Sequence, residues 1–310
     1  MKIFWDSQSI NETFPAPIVT IGNFDGVHAG HQAIFHQVRE RAAQARGTAC
    51  VITFEPHPQK VLFPDREFFL LNHLEEKIDI IRACGINVMF CLPFTPEFAA
   101  QDPRAFVKEF LVDTLRAQEI YLGRDSRFGR GREGSPETLR ALGDVYGFRV
   151  TIVPPVTLNG MTVSSTSIRR LLHHGEVEQA AALLRRHYAL DGVVSYGTQR
   201  GSQLLGFPTA NVDVTHELIP KTGVYIGSVA WNGRKFQAVV NIGANPTFSN
   251  ARLTVEAHLL DFEGNLYGEW MTVALLKRLR DEITFPDIHA LTAQIERDVA
   301  TARAYFQAQA

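Results

Sequence analysis

Ile18-Val19-Thr20-Ile21, a short apolar run, leads into Gly22-Asn23-Phe24-Asp25-Gly26-Val27-His28-Ala29-Gly30-His31 and then into a helical pattern reaching Arg46. A strand, a glycine-rich turn and a helix start coincide there, with two histidines at an H-x-G-H spacing. A helix N-terminus presents unpaired backbone N–H groups and the positive end of the macrodipole, and glycine lets a ligand approach the backbone, so the segment predicts a phosphate site. With the helix beginning near Val27, His28 and His31 share a face and can donate to one phosphate, while Gly30 keeps that face open. Two other readings use the same residues. One is an ordinary strand-turn-helix connection with Asp25 as N-cap; the other is a zinc site built from both histidines and Asp25, for which no third strong ligand stands at a recognised spacing.

Working outward, strand-like runs at Ile18–Ile21, Ala49–Phe54, Asn87–Leu92, Ile120–Leu122 and Val150–Val153 alternate with helical patterns at Val27–Arg46, Leu74–Cys84, Pro103–Leu115, Pro136–Tyr146 and Ser167–Leu172. Such alternation predicts an α/β fold, a parallel sheet covered by helices. Asp102-Pro103 and Ser135-Pro136 each set an N-cap residue before a first-turn proline, which marks two helix starts. In open sheets of this kind ligands bind beyond the carboxyl ends of the strands, where the Gly22–His31 loop leaves the first run.

After a short helical stretch, Val177–Arg186, the texture changes to β-branched runs broken by glycine and proline: Gly192–Tyr196, Thr209–Val212, Val224–Trp231, Phe236–Ile242, Leu253–Leu260 and Met271–Leu276. These predict a small closed barrel or sandwich. From Asp287 onward, Ile288, Leu291, Ile295, Val299 and Ala302 recur at helical spacing, so a closing helix should lie on the barrel. The boundary between the two halves is placed near His187, giving residues 1–186 and 187–310.

The bulk numbers are those of a globular protein of two domains: 310 residues, 45% hydrophobic, 21% charged. A formal charge of −2 offers no global attraction to nucleic acid or to an anionic membrane, so small molecules are the expected partners. Met1–Phe14 carries Asp6 and Glu12 and lacks a long apolar core, and no later stretch has the length to span a bilayer, which predicts a cytoplasmic protein. Cys50, Cys84 and Cys91 form no C-x-x-C pair and read as reduced core cysteines.

A second phosphate-handling segment stands at Val163-Ser164-Ser165-Thr166-Ser167-Ile168-Arg169, after the turn Asn159-Gly160 and ahead of a helix. Hydroxyls and a guanidinium at a helix start suit the far phosphates of a triphosphate, although a serine-rich N-cap with a solvated arginine fits as well. Together with H-x-G-H, this S-S-T-x-I-R segment resembles the nucleotidyltransferase superfamily. With Thr53-Phe54-Glu55-Pro56-His57-Pro58 between them, and with Gly206-Phe207-Pro208-Thr209-Ala210-Asn211, Gly223-Val224-Tyr225, Asn241-Ile242-Gly243, Pro246-Thr247-Phe248, Val255-Glu256 and Leu266-Tyr267-Gly268 following in order, nearly the whole chain resembles the bacterial bifunctional riboflavin kinase/FAD synthetases.

The resemblance implies a Rossmann-like nucleotidyltransferase domain followed by a riboflavin kinase barrel with a C-terminal helix. It implies phosphorylation of riboflavin to FMN by ATP, then adenylylation of FMN to FAD with release of pyrophosphate, both with Mg²⁺. In the kinase half it assigns Glu256 as general base, Thr209 and Asn211 to Mg²⁺ and ATP, Gly206, Phe207 and Pro208 to ATP, and Arg280 to the flavin. In the first half it assigns His28, His31 and Arg169 to the reacting triphosphate. Gly22, Asn23, Phe24, Gly30, Ser165 and Thr166 bind ATP there, and Phe54, His57, Pro58, Asp125 and Phe128 bind flavin. Three departures stand out. Ser126 replaces a usual Phe, which predicts looser flavin contacts; the Gly197–Gly206 loop is one residue longer, with Ser202 for a common basic residue; and Thr284 stands where Lys or Arg is common. Rival readings are another adenylyl- or cytidylyltransferase carrying an unrelated β domain, and a flavin-binding regulator without turnover.

Overall fold

A computed structural model describes residues 1–195, 207–244 and 253–309. The chain forms two compact units, Met1–Ser164 and Ser165–Ala310.

In the first unit, β1 (Lys2–Phe4), β2 (Pro17–Ile21), β3 (Thr48–Glu55), β4 (Val88–Pro93), β5 (Glu119–Gly123) and β6 (Arg149–Val153) make a six-stranded sheet in the order β1-β4-β3-β2-β5-β6. Every adjacent pair is parallel. The runs are continuously apolar because both faces are covered, and the period of two sends alternate residues to two cores. On β3, Cys50, Ile52 and Phe54 enter one cluster while Ala49 and Val51 enter the other; on β4, Val88, Phe90 and Leu92 oppose Met89 and Cys91. The strand order reverses between β2 and β5, and the crevice of an open α/β sheet lies at such a switch point. The Gly22–His31 loop leaves β2 there.

Helix α1 (Ala29–Ala45) begins two residues later than the spacing predicts, with His28 as its N-cap. The turn before it holds Phe24 at φ 50°, Gly26 at φ 78° and Val27 at φ 38°, so Val27 cannot be a helical residue. Short helices α2 (Pro58–Leu62) and α4 (Pro96–Ala99) flank α3 (Leu74–Ala83) in chain order. The helix expected over Pro103–Leu115 starts as α5 (Pro103–Phe106), capped by Asp102, and widens to a π-helix over Val107–Thr114; Phe106 of the first and Val107, Phe110 and Leu111 of the second stay in the core. Helix α6 (Pro136–Tyr146) starts as expected, Ser135 Oγ accepting from the Thr138 N–H at 3.2 Å. Strand β1 and the hairpin of β7 (Thr157–Leu158) and β8 (Met161–Thr162) carry too few residues for any periodicity, and the sequence reading misses them.

The second unit opens with α7 (Ser165–His173) and α8 (Val177–Leu184), which pack on each other, α8 also lying against barrel strands. The barrel is closed in the order β10-β13-β12-β11-β14-β9, with β9 (Tyr188–Ser195), β10 (Ala210–Val214), β11 (Gly223–Trp231), β12 (Arg234–Ala244), β13 (Leu253–Leu259) and β14 (Trp270–Arg280). All pairs are antiparallel. Closure removes exposed edges, and alternation fills the inside: Val255, Ala257 and Leu259 point inward while Thr254, Glu256 and His258 face out. The closing helix α9 (Ile288–Gln307) is capped by Asp287, which accepts from the Ala290 N–H at 2.8 Å. Ala302, with Val299, Tyr305 and Phe306, packs against Val224, Ile226, Val239, Leu260 and Leu276, whereas Ile288, expected on the same stripe, stands 43% exposed.

Candidate active sites

At the switch point, His28 and His31 do not hang side by side as surface donors. His28, buried, lies outside the helix, and its Nδ1 accepts from the His31 backbone N–H at 3.3 Å, while the two rings stack with centroids 3.6 Å apart. Phe24 backs this pair: its ring meets His31 edge-on at 5.2 Å and Phe35 at 4.8 Å, and it lies over Gly22. A side chain on Gly30 would press the His28 ring at 3.2 Å, which is why the position between the histidines is glycine. Burial, then the nearness of His28 and of Lys77, hold the His31 imidazole well below its ordinary pKa. The ring as a whole keeps some exposed surface, but its Nδ1 is enclosed and has no hydrogen-bond partner. A neutral, unsatisfied imidazole nitrogen in an anion-favouring turn is set to receive a ligand oxygen.

The turn is fastened from outside the motif. The Gly26 N–H donates to Asn72 Oδ1 at 2.7 Å, and the Leu71 N–H donates to Asp25 Oδ1 at 3.0 Å, so Asp25 ties two loops together and the N-cap is His28. Thr53 Oγ1 donates to the Asn23 carbonyl at 3.2 Å, joining the ends of β2 and β3. Asn72 escapes sequence reasoning because its partner is 46 residues away.

The expected flavin residues of this unit divide by burial. Phe54 is only 8% exposed and packs on Phe94 and Phe98 at 5.7 and 5.6 Å. His57 is buried, caps α2 by accepting from the Gln59 N–H at 3.2 Å, and stacks on Phe68 at 4.7 Å; Pro58 is the first residue of that helix. Asp125 is exposed in the turn after β5, and Phe128, half-buried, lies 6.4 Å from Phe106. Ser126 donates its N–H to the Gly123 carbonyl at 3.1 Å, within that turn. Ser165, Thr166 and Arg169 occupy the first turns of α7, at the opening of the second unit.

On the barrel, register assembles what the sequence scatters. Asn211 of β10 stands directly opposite Glu256 of β13, and Glu256 stands opposite Asn241 of β12, so three polar side chains form a row on the outer face. Burial, and then the like charge of Glu282, raise the Glu256 carboxyl above its ordinary pKa. Glu282 reaches in over Gly243, where its Oε1 comes within 2.4 Å of the place a side chain would begin, and Asn241 Nδ2 within 3.2 Å. That glycine therefore keeps room for two polar groups beside Glu256. Neither Asn241 nor Glu282 is a candidate from sequence alone; the signal for Asn241 is its place in Asn241-Ile242-Gly243, whose meaning needs the register. Thr209, at the threshold of β10, is two residues from Asn211 and shares its side of the strand. Phe207 meets His258 edge-on at 5.4 Å, and the Pro208 carbonyl lies 2.9 Å from His258 Nδ1. Gly206, with the rest of the long loop before it, lies outside the described residues. Arg280, expected at the flavin, has its guanidinium engaged with Asp298 of α9: Nε lies 3.2 and 3.1 Å from the two carboxylate oxygens and Nη2 lies 2.8 Å from Oδ2.

With these sites in place, comparison with known proteins is direct. The FAD synthetase family model matches residues 10–167 and the riboflavin kinase family model residues 184–306. The bifunctional riboflavin kinase/FMN adenylyltransferase of Escherichia coli K12 is 38% identical over 290 residues, covering 93% of this chain and 92% of its own. Its namesake from Haemophilus influenzae is 33% identical over 307 residues, covering 99% of both. A solved structure described as a macrolide-efflux protein from Streptococcus pneumoniae superposes with TM-score 0.86 at 28% identity, over 97% of this chain and 98% of that one. That description belongs to that protein; among the described residues here, no helix is long and apolar enough to cross a membrane. Two family models in the expected order and relatives matched from end to end agree with the parallel sheet and the closed barrel: the chain belongs to the bifunctional riboflavin kinase/FMN adenylyltransferase family.

Proposed function

We propose that the two reactions of the family are divided between two sites of this chain, FMN adenylylation in residues 1–186 and riboflavin phosphorylation in residues 187–310. The observation that carries the reading is Glu256, a half-buried carboxylate of raised proton affinity set between Asn211 and Asn241. A general base works best when its pKa lies nearer the working pH than a solvated carboxylate does. Glu256 accepts the proton of the ribityl hydroxyl as its oxygen attacks the γ-phosphate of ATP. Phe207 and Pro208, with Gly206, form the approach to the nucleotide.

Thr209 and Asn211 fit a hard cation. Both offer side-chain oxygens, on one side of β10, and no hydrogen bond engages either side chain among the described residues. They would hold Mg²⁺, which neutralises charge on the ATP phosphates when bound. Arg280 serves the flavin site by fastening α9 beside the strand that bears it.

In the first half, FMN phosphate attacks the α-phosphate of a second ATP and pyrophosphate leaves, with no enzyme nucleophile. Positioning and charge stabilisation supply the catalysis. His28 and His31 bind the reacting phosphates, with Gly22, Asn23, Phe24 and Gly30 shaping the turn. Ser165, Thr166 and Arg169 take the outer phosphates. Phe54, His57, Pro58, Asp125 and Phe128 line the flavin side, where Ser126 weakens the hold on FMN. Riboflavin, FMN, FAD and ATP are the partners, and three free cysteines suit a reducing cytoplasm.

Chromatographic separation of flavins tests this, from one incubation with riboflavin, ATP and Mg²⁺ and another begun from FMN. Successive FMN and FAD are expected in the first and FAD in the second. FMN as the sole product would refute the assignment in residues 1–186, and bound riboflavin without conversion would refute both.

A further inference from the structure

Helix α3 carries Lys77 on its buried side with Ile78 and Ile81, and Lys77 is only 2% exposed. Two of its acidic neighbours in sequence turn away, Glu75 being 80% exposed and paired with His73 and Asp79 72% exposed and paired with Arg82, while Glu76 is half-buried. Among the described residues the Lys77 ammonium makes no ion pair and no hydrogen bond. A cation with little water about it and no ion pair favours an anion at its side.

The place of Lys77 says which anion. The segment entering α3 is sewn to the phosphate turn by the Gly26–Asn72 and Leu71–Asp25 hydrogen bonds, at 2.7 and 3.0 Å. Lys77 follows one helical turn later. Its charge is felt by His31, and also by Cys91 near the carboxyl end of β4, the sheet edge from which the turn leaves, where the Glu55 charge is felt as well. His31 Nδ1 is enclosed and unpartnered on the same ground. Two nitrogens, one cationic and one neutral, thus share a neighbourhood.

We infer that Lys77 is a further phosphate-binding residue of the adenylyltransferase site, its ammonium meeting the polyphosphate of ATP beside His31. The inference rests on the adenylyltransferase reading of residues 1–186. Replacing Lys77 by Met keeps length and apolar stem but removes the charge. The experiment measures FAD formation from FMN against ATP concentration in wild type, Lys77→Met and Lys77→Arg, with riboflavin phosphorylation by the same preparations as internal control, and the thermal shift given by inorganic pyrophosphate.

The expected result is a drop in kcat/KM for ATP on the order of 100-fold in Lys77→Met, the size seen when one donor to developing charge is lost. Arg should recover part of it, kinase turnover should be unchanged, and the pyrophosphate shift should disappear while unliganded stability holds or rises. Wild-type rate and pyrophosphate shift in Lys77→Met would overturn the inference. So would loss of both activities with a lowered melting point, which would make Lys77 structural. Wild-type protein that forms no FAD from FMN would instead overturn the adenylyltransferase reading itself.

Discussion

Removing the Asp298 carboxylate should loosen the barrel more than its single charge implies. The carboxylate is 8% exposed and receives both Nε and Nη2 of Arg280, itself 18% exposed, and also Gln294 Nε2 at 2.9 Å. Asp298→Ala strips these hydrogen bonds and leaves a largely buried guanidinium with one remaining contact, Nη1 to the Asp281 carbonyl at 3.0 Å. Breaking a buried pair on one side costs roughly 3–5 kcal/mol, whereas an exposed pair is worth about 0.2–1 kcal/mol. The partial exposure of Arg280 and its surviving hydrogen bond place this case at the low end, about 3 kcal/mol. Urea unfolding followed by tryptophan fluorescence reads it, since Trp231 and Trp270 both belong to barrel strands. The midpoint should fall at unchanged slope. Replacing both residues by leucine should return most of the loss, because no unpaired charge is then left inside. A loss below about 1 kcal/mol in the single variant, or no recovery in the double variant, would refute the buried-pair argument.

Glu256→Gln should lower riboflavin phosphorylation by about 10²–10⁴-fold and spare FAD formation from supplied FMN, and His28→Ala should do the converse; equal loss of both steps in either variant would sink the division of labour. Because burial and Glu282 raise the Glu256 carboxyl, the kinase kcat/KM should fall on the acid side at a pH above the ordinary carboxylate range, and Glu282→Gln should carry that limb to lower pH; an unmoved limb would remove Glu282 from the site. His31 is held neutral when folded, so the unfolded chain binds its proton first. Stability linked to this residue is therefore complete above about pH 6.5 and is lost as pH falls toward the lowered folded value, and His31→Asn should flatten that loss in unfolding curves taken from pH 7 to 5.

Much of the fold is legible in the chain because its signals are local. Asp102-Pro103 and Ser135-Pro136 begin helices where capping chemistry says they must. The continuous runs of β3 and β4 announce a sheet covered on both faces, and the alternation around Glu256 announces an outward residue on a barrel strand. Local reasoning errs at α1. Phe24 and Val27 take positive φ angles, and the Phe24 ring packs over Gly22 and against Phe35, a contact no spacing rule contains.

By themselves, then, local signals in the chain wrote the parallel sheet and the barrel, the glycine-rich turn after β2 and the motifs that mark the family. Periodicity, capping and turn chemistry act over a few residues and are written where they act. Only the tertiary structure decided that His28 caps the helix and stacks on His31, that Asn72 holds the turn, that Asn241 and Glu282 attend Glu256, and that Arg280 is claimed by Asp298. Those are contacts between residues far apart in the chain, set by strand register and by which side chains the core shuts away from water. In that low-dielectric setting a lost partner or a neighbouring charge counts for most.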